Sequence, residues 1–408
     1  MKCRHCNAEL KMPFVDLVTA PPSNAYLSAT DLHAPEKYFP LRVLVCTDCW
    51  LVQTEDYAGA AELFSSDYAY FSSFSTTWLQ HAERYVSKMI ERFDLDDSSL
   101  VSEIAANDGY LLQYVKHAGI PCYGVEPTRS TADAARNKGL EIVESFFGVE
   151  LATELASRNQ QVDLVAANNV LAHVPDINDF VAGFAVLLKP SGVATFEFPH
   201  LMRLVEENQF DTIYHEHYSY LSLMALSSVF TQNGLEIFDV EELATHGGSL
   251  RLYCQRVDTG KRPVSKAVGA LATQEKTAGL ASAEFYAGFQ AQAEKVKNDF
   301  LGFLLDTKKT GKKVAGYGAA AKGNTLLNFA GVKSDLLPFV VDHNPAKEGN
   351  FLPGSRIPIV TESWIEREKP DYVVVLPWNL QDEVMEQLKN IRNWGGQFVT
   401  AVPVLQIK

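Results

Sequence analysis

Between residues 100 and 200, short apolar runs alternate with helical stretches so regularly that few folds remain open. Residues 100–105 read as a strand running into Asn-Asp-Gly, 111–118 as a helix, and 122–125 as a strand ending at Glu126. A helix over 131–138, a strand over 140–143 and a helix over 149–158 follow. The strand 162–167 leads into Asn168 and Asn169. The helix 180–188 closes at Lys189-Pro190-Ser191-Gly192, and 193–198 is a further strand. Such alternation builds an α/β, parallel, doubly wound sheet. Residues 261–305, rich in Ala, Lys, Glu and Gln, predict one or two bridging helices. The βα rhythm then restarts, with strands at 312–316, 338–341, 372–376 and 398–402 and a helix at 323–329. This predicts a second, smaller Rossmann-like unit.

Ahead of both units lie four of the six cysteines, Cys3, Cys6, Cys46 and Cys49, as two CxxC pairs. Two residues between thiols let both sulfurs converge on one ion, and two such knuckles make a closed tetrahedral zinc site with no open position for substrate. The expected zinc is therefore structural. The competing redox CxxC normally occurs once, opening a helix. Residues 1–66 are too few for a robust core, so a metal staple suits them. The expected division is a zinc-binding domain at 1–66, a central unit at 67–260 and a C-terminal unit at 261–408. A helix is expected over 76–93. Cys122 and Cys254 lie in strand-like runs and read as buried reduced thiols.

The chain has 408 residues, is 47% apolar and carries a net charge of −14. That is a globular composition, and the acidic balance argues against a nucleic-acid binder. No apolar run reaches the roughly 18 residues of a membrane span. The N-terminus has no apolar signal region, so the cytoplasm is the expected location, with no membrane partner. A monomer or weak oligomer is expected.

In open α/β sheets, ligands bind at the carboxyl ends of the strands. The first such end reads Glu103-Ile104-Ala105-Ala106-Asn107-Asp108-Gly109. Gly109 permits a tight turn, and Asn107 and Asp108 offer polar contacts. Glu126, seventeen residues beyond Gly109, is placed to take ribose hydroxyls. Asn168 and Asn169 stand ready for a ligand's polar tail. The turn is not GxGxxG, so it makes a poor pyrophosphate cradle. S-adenosylmethionine has no phosphate and needs only close backbone approach and an acidic ribose ligand. The spacing therefore favours a methyltransferase over a dehydrogenase; the alternative is an ordinary βα turn.

A second turn, Gly316-Tyr317-Gly318-Ala319-Ala320-Ala321-Lys322-Gly323-Asn324-Thr325, follows a strand and opens a helix. Small residues, backbone N–H groups, a helix N-terminus and Lys322 suit an anion. The Gly-Lys-Ser/Thr order of a P-loop is missing. Asp342 ends the next strand, so a dinucleotide is a rival ligand there.

The stretches Glu-Ile-Ala-Ala-Asn-Asp-Gly-Tyr-Leu-Leu, Gly-Val-Glu-Pro-Thr and Ala-Asn-Asn-Val-Leu-Ala-His-Val-Pro-Asp resemble the nucleotide-sugar C-methyltransferases of deoxysugar pathways. Known members methylate carbon three of a thymidine-diphosphate 4-keto sugar. The resemblance spans the chain and includes the double CxxC, the Tyr-His-Glu-His-Tyr segment at 214–218 and the Gly-rich turn at 316–323. It implies S-adenosylmethionine and zinc as cofactors, and a central class I methyltransferase domain. It implies His217 as the base, with Tyr214, Glu216, His173 and Tyr68 in the site. Glu216 has two roles open, orienting an imidazole or binding a sugar hydroxyl. Where the family usually has Gly, this chain has Ala105. Adenine packing is expected at Phe146 or Phe147, though adjacent phenylalanines also suit a core. The second turn, with Gly318, Ala321, Lys322 and Asn324, is then expected to hold the sugar nucleotide's diphosphate, with Asp342, His343 and Trp378 nearby.

The chemistry is consistent with that set. A sugar carbon becomes nucleophilic only when a neighbouring ketone lets a base remove its α-proton, so a base and an oxygen-directed donor are both needed. Histidine, with an ordinary pKa of about 6.5, suits the base. Period-two alternation in an extended segment places Tyr214, Glu216 and Tyr218 opposite His215 and His217; a loop need not obey it. A metal site at His-Glu-His and a merely structural polar cluster are the competing readings. Rival functions are methylation at carbon five, oxygen or nitrogen, an NAD-linked oxidoreductase, and a non-catalytic zinc-ribbon adaptor.

Overall fold

The computed structural model describes residues 1–57 and 71–408. Its strands in chain order are β1 (Met12–Ala20), β2 (Phe39–Val45), β3 (Val52–Thr54), β4 (Val101–Ile104), β5 (Cys122–Val125) and β6 (Glu141–Val143). They continue with β7 (Val162–Asn168), β8 (Leu188–Pro199), β9 (Ser219–Tyr220), β10 (Leu235–Leu243), β11 (Ser249–Arg256) and β12 (Val314–Tyr317). The last are β13 (Val340–Val341), β14 (Ile359–Val360), β15 (Tyr372–Val375), β16 (Gln397–Thr400) and β17 (Gln406–Ile407).

The central sheet has the order β10-β11-β8-β7-β4-β5-β6. The pairings among β8, β7, β4, β5 and β6 are parallel, as the alternation predicts. The sheet is nevertheless mixed, because β11 runs antiparallel to both β8 and β10. The antiparallel edge, which the alternation between 100 and 200 does not reach, has a simple cause: β10 and β11 are joined by a tight hairpin, and a hairpin can only make antiparallel neighbours. The stretch 189–192, read as a helix-closing turn, is already part of β8.

Helices cover both faces. The helix Thr76–Phe93 starts where the Ser75 side chain accepts from Trp78 N–H (3.2 Å). It buries Ala82, Tyr85, Val86 and Met89, one stripe at helical spacing. On the opposite face Phe180, Phe184, Phe196 and Phe230 form one aromatic core.

The C-terminal sheet, β14-β13-β12-β15-β16-β17, is parallel except for β17. Three helices precede it (Lys266–Ala278, Ala283–Tyr286 and Phe289–Lys309), where one or two were expected. Gly279 (φ 92°) and Gly288 (φ 89°) break the run in left-handed conformations.

The first sheet, β1-β2-β3-β9, recruits its last strand from residues 219–220. Its apolar face packs into the C-terminal core: Phe14 stacks on Phe289 with ring centroids 4.4 Å apart. Cys3, Leu10, Leu44 and Leu51 instead join the core of the central unit. Leu27 pairs with Phe351 through two backbone hydrogen bonds. The N-terminal segment thus ties both α/β units together. No helix among the described residues is long and apolar enough to cross a membrane.

Candidate active site and metal centre

The four thiols of Cys3, Cys6, Cys46 and Cys49 lie within 4.8 Å of one another, with Sγ–Sγ distances of 3.6 Å (Cys3–Cys49) and 3.5 Å (Cys6–Cys46). These separations are far beyond a disulfide. They are close to the edge of about 3.8 Å expected of a tetrahedron with Zn–S bonds of about 2.3 Å. Gln53 Nε2 donates to Cys3 Sγ at 3.2 Å, and its Oε1 accepts Arg4 N–H at 2.9 Å. His5, inside the first knuckle, bonds Asn178 (2.9 Å) and Ser228 (3.0 Å), anchoring the knuckle to the central unit. Cys254 is fully buried, and burial pushes its thiol well above the usual range, so it stays protonated.

At the carboxyl end of β4 the chain turns sharply. Ala105 (φ 59°), Asn107 (φ 49°) and Gly109 (φ 76°) are all left-handed. A side chain on Gly109 meets Leu140 Cδ1 at 2.3 Å, so the position requires glycine twice over. Glu126 anchors the turn: its carboxylate accepts Asn107 N–H and Thr128 N–H, both at 2.9 Å. Asn107 Oδ1 accepts Ser72 N–H at 2.9 Å, which brings segment 71–74 over the turn. Glu103 is buried beside Tyr110, and burial raises its carboxyl well above the usual range. Asp108 Oδ1, Asn168 Oδ1 and Asn169 Oδ1 are buried without partners among the described residues. Acceptors stranded at the ends of β4 and β7 fit a polar ligand there. Phe147 turns inward against Phe180 and Phe184, whereas Phe146 is 60% exposed.

A left-handed alanine is strained by about 1 kcal/mol relative to glycine. Ala105→Gly is therefore expected to stabilise the protein by about 0.5–1 kcal/mol, read as a higher urea midpoint at unchanged slope. A lower midpoint removes the strain argument.

The Tyr-His-Glu-His segment is a turn, not a strand, and the alternation fails: His217 N–H donates to Tyr214 O, and the two rings pack at a 32° tilt with centroids 4.0 Å apart. His215 points away to the Pro40 carbonyl (3.1 Å). The Glu216 carboxylate is held by Ser23 Oγ (2.8 Å) and Asn24 Nδ2 (3.1 Å), so it orients no imidazole. His217 Nδ1–H donates to the Thr212 carbonyl at 2.8 Å, which leaves Nε2 as its basic atom. His173 packs against it with centroids 4.6 Å apart, and His173 Nδ1–H donates to Glu216 O at 2.8 Å. Burial, then the neighbouring His173, holds the His217 imidazole well below its ordinary value; burial brings His173 down to about 4. Tyr68 lies outside the described residues.

The second turn repeats the first. Gly318 (φ 90°) lies so close to Pro377 that an added Cβ meets its Cδ at 2.4 Å. Asp342 accepts Ala319 N–H (2.7 Å) and Asn344 N–H (2.8 Å), the same strand-end carboxylate grip that Glu126 applies. Lys347 Nζ reaches the Ala319 carbonyl at 2.7 Å. Ala321 opens the helix Ala321–Phe329. Asn324 is buried and donates to Ser23 O at 2.7 Å. Lys322 Nζ donates to Asn379 Oδ1 (2.6 Å) and lies 4.7 Å from the Trp378 ring centre. Trp378 Nε1–H donates in turn to the buried Asp211 (2.8 Å), whose carboxyl burial pushes up to about 6. The His343 side chain is 76% exposed, beside Glu362.

Sequence reading did not single out Asp211, Lys347 or His246. Nothing around Asp211 marks it; its role depends on Trp378, far along the chain. His246 carried a signal that was available, a histidine followed by two glycines.

A class I methyltransferase sheet with stranded acceptors at its ligand-binding edge, joined to a four-thiol metal centre, defines a zinc-containing, S-adenosylmethionine-dependent methyltransferase. Residues 3–64 match a zinc binding domain, 78–240 a methyltransferase domain, and 244–403 a C-methyltransferase C-terminal domain. The chain is 34% identical over 402 residues to the C-methyltransferase NovU of Streptomyces niveus, covering 98% of this chain and 95% of that one. It is also 34% identical over 101 residues to a ubiquinone biosynthesis O-methyltransferase of Bordetella avium, 24% of this chain and 41% of that one. Among solved structures, PH0226 protein of Pyrococcus horikoshii superposes at a TM-score of 0.39 and 13% identity, over 49% of this chain and 100% of that one. The chain belongs to the zinc-containing, S-adenosylmethionine-dependent C-methyltransferases.

Proposed function

We propose that the enzyme methylates carbon three of a thymidine-diphosphate-linked 4-keto-deoxysugar, in branched deoxysugar biosynthesis in the cytoplasm. The observation that carries this reading is His217, a half-buried, neutral imidazole with its Nδ1 tied down, packed between Tyr214 and His173. A base of this kind is unnecessary for oxygen or nitrogen methylation, where a lone pair attacks directly. Carbon needs it.

In this reading, the bound S-adenosylmethionine supplies an electrophilic methyl sulfonium. His217 Nε2 takes the proton from carbon three, and the C–H electron pair moves into the adjacent ketone, giving an enolate. The Tyr214 and Tyr68 hydroxyls are assigned to the ketone or the sugar. Carbon three would take the methyl that the donor supplies, the C–C bond forming at the expense of the S–CH3 bond with S-adenosylhomocysteine as by-product, and the ketone would re-form. The reading assigns the donor to the β4 turn, Glu126, Asn168 and Asn169. The sugar nucleotide is assigned to the turn at Gly318, with Ala321, Lys322 and Asn324. Two buried turns built alike, each gripped by a strand-end carboxylate, support two ligands on facing walls. The domain division at 1–66, 67–260 and 261–408, and action as a monomer or weak oligomer, belong to the same proposal.

The test is incubation in heavy water with a thymidine-diphosphate 4-keto-6-deoxy sugar, with and without donor, read by mass spectrometry and proton NMR. A C-methyl singlet with loss of the carbon-three proton is expected. So is deuterium at carbon three without donor. A protein that binds donor but leaves this sugar and its 3-amino and 2-deoxy analogues inert overturns the reading. Glu126→Ala is expected to weaken donor binding about tenfold or more by calorimetry, the size of a charged hydrogen-bond loss. An unchanged dissociation constant removes Glu126 from the donor site.

A further inference from the structure

We infer that His246 is a further acceptor-binding residue of the catalytic cleft, hydrogen-bonding the sugar's ketone oxygen as negative charge builds there. The inference rests on the proposed function and deepens it.

His246 sits at the tip of the hairpin between β10 and β11, beside the carboxyl end of β8. That edge of the sheet is where an acceptor must meet the donor. Its backbone is left-handed (φ 55°, ψ 22°) and is followed by two glycines, Gly247 (φ 86°) and Gly248 (φ 109°). A histidine holding such a conformation next to two residues that adopt it freely is strain that the surroundings enforce. The enforcing contacts are visible. Thr245 Oγ1 donates to Glu197 (3.1 Å), Gln209 Nε2 to Gly247 O (2.7 Å), and His200 N–H to Gly248 O (3.0 Å). A Cβ on Gly247 meets the Trp378 ring at 2.5 Å, and one on Gly248 meets Arg203 Cγ at 2.8 Å. The two glycines are required, and the Thr245 hydroxyl is committed to Glu197.

That imidazole stands where the two α/β units meet. Its ring packs edge-on against Trp78 of the central unit, with centroids 5.2 Å apart at 76°. Trp378 of the C-terminal unit abuts the next residue and carries Lys322 over its face. Nδ1 is buried and has no hydrogen-bond partner among the described residues. Leaving such a nitrogen unpaired is unfavourable, so a ligand or water is needed to satisfy it. Burial, reinforced by the Lys322 ammonium, brings the imidazole down to about 4. It is therefore neutral at pH 7, with one nitrogen donating and the other accepting. A neutral imidazole donating to a carbonyl oxygen is suited to stabilising an enolate.

The test uses the full-length zinc-bound enzyme and the thymidine-diphosphate 4-keto-6-deoxy sugar. His246→Asn tolerates the left-handed backbone, and His246→Phe keeps the packing on Trp78 without the nitrogens. For each variant, kcat, KM, donor-free deuterium exchange at carbon three, donor affinity and melting temperature are measured. In His246→Phe both kcat and the exchange rate are expected to fall about 100-fold, as for loss of one oxyanion donor, while His246→Asn, whose amide can still donate, should lose less. Donor affinity should stay within twofold and His246→Asn should melt no lower than wild type. If a folded His246→Phe exchanges and methylates within threefold of wild type, the inference is overturned while the proposed function stands. If the wild-type enzyme neither exchanges nor methylates this sugar and its analogues, the proposed function fails and takes this inference with it.

Discussion

Replacing His217 by Ala or Asn is expected to abolish methyl transfer, lowering kcat by about 10³-fold or more while the protein stays folded. Removal of a positioned general base accounts for 10²- to 10⁴-fold losses, and the upper part of that range is appropriate here. A ketone-flanked C–H bond is far less acidic than a hydroxyl, so its removal leans on the base more heavily. His215 is turned to Pro40 and is not a substitute. His217→Asn is the sharper variant, because its amide can still donate to the Thr212 carbonyl and hold the turn. Donor-free deuterium exchange should vanish with turnover, while donor binding by calorimetry should not change. The same environment fixes a pH dependence. The imidazole works as a base only when neutral. Burial and His173 depress its pKa well below 6.5, so the acidic limb of kcat/KM should lie below pH 6.5 rather than at it. Full turnover by His217→Asn sinks the assignment.

What was legible in the sequence is what short-range physics controls. Strand and helix periods between 100 and 200 give the order of elements, because each must bury one face or one stripe. The two CxxC pairs give the metal centre, because the thiol spacing is itself the geometry. Segments whose place depends on distant partners were less legible. Ser219 and Tyr220 make only a two-residue strand, yet β3 pairs with it to complete the first sheet. The hairpin that reverses β11 is evident only once β8 lies beside it. Glu216 stands within a His-rich segment, and only the fold shows that its carboxylate serves Ser23 and Asn24. Phe146 and Phe147 are equivalent as letters; the helix at Ile177–Leu187 decides which is core. Glu126 was read as a ribose ligand, and Asp342 as a neighbour of the second turn's ligand. The structure adds that each first builds the turn before it, by accepting N–H groups from that turn.

Stripping the metal, or replacing Cys46 by Ser, is expected to unfold the first sheet and to abolish methyl transfer with it. Cys46 is fully buried at the end of β2, and Cys3 is 1% exposed. Four thiols gathered within 4.8 Å without an ion have no other reason to converge. Structural zinc binding is worth about 10–16 kcal/mol in small domains at neutral pH, more than the stability of most domains, so its loss is decisive locally. The effect reaches the site through named bonds. Thr54 in β3 donates its hydroxyl to the His217 carbonyl at 2.6 Å, and its N–H to Tyr218 O at 3.1 Å. Ser23 and Asn24, between β1 and β2, hold Glu216, whose carbonyl fixes His173. Collapse of the first sheet therefore frees both imidazoles at once. The donor turn is held by Glu126 from within the central sheet and has no such dependence. Chelator titration should thus release one zinc per chain and remove turnover in parallel, with donor affinity changing only severalfold. A metal-free chain with full activity would show that the thiol cluster is dispensable; loss of donor binding in step with turnover would show that zinc supports the whole molecule rather than the acceptor side of its cleft.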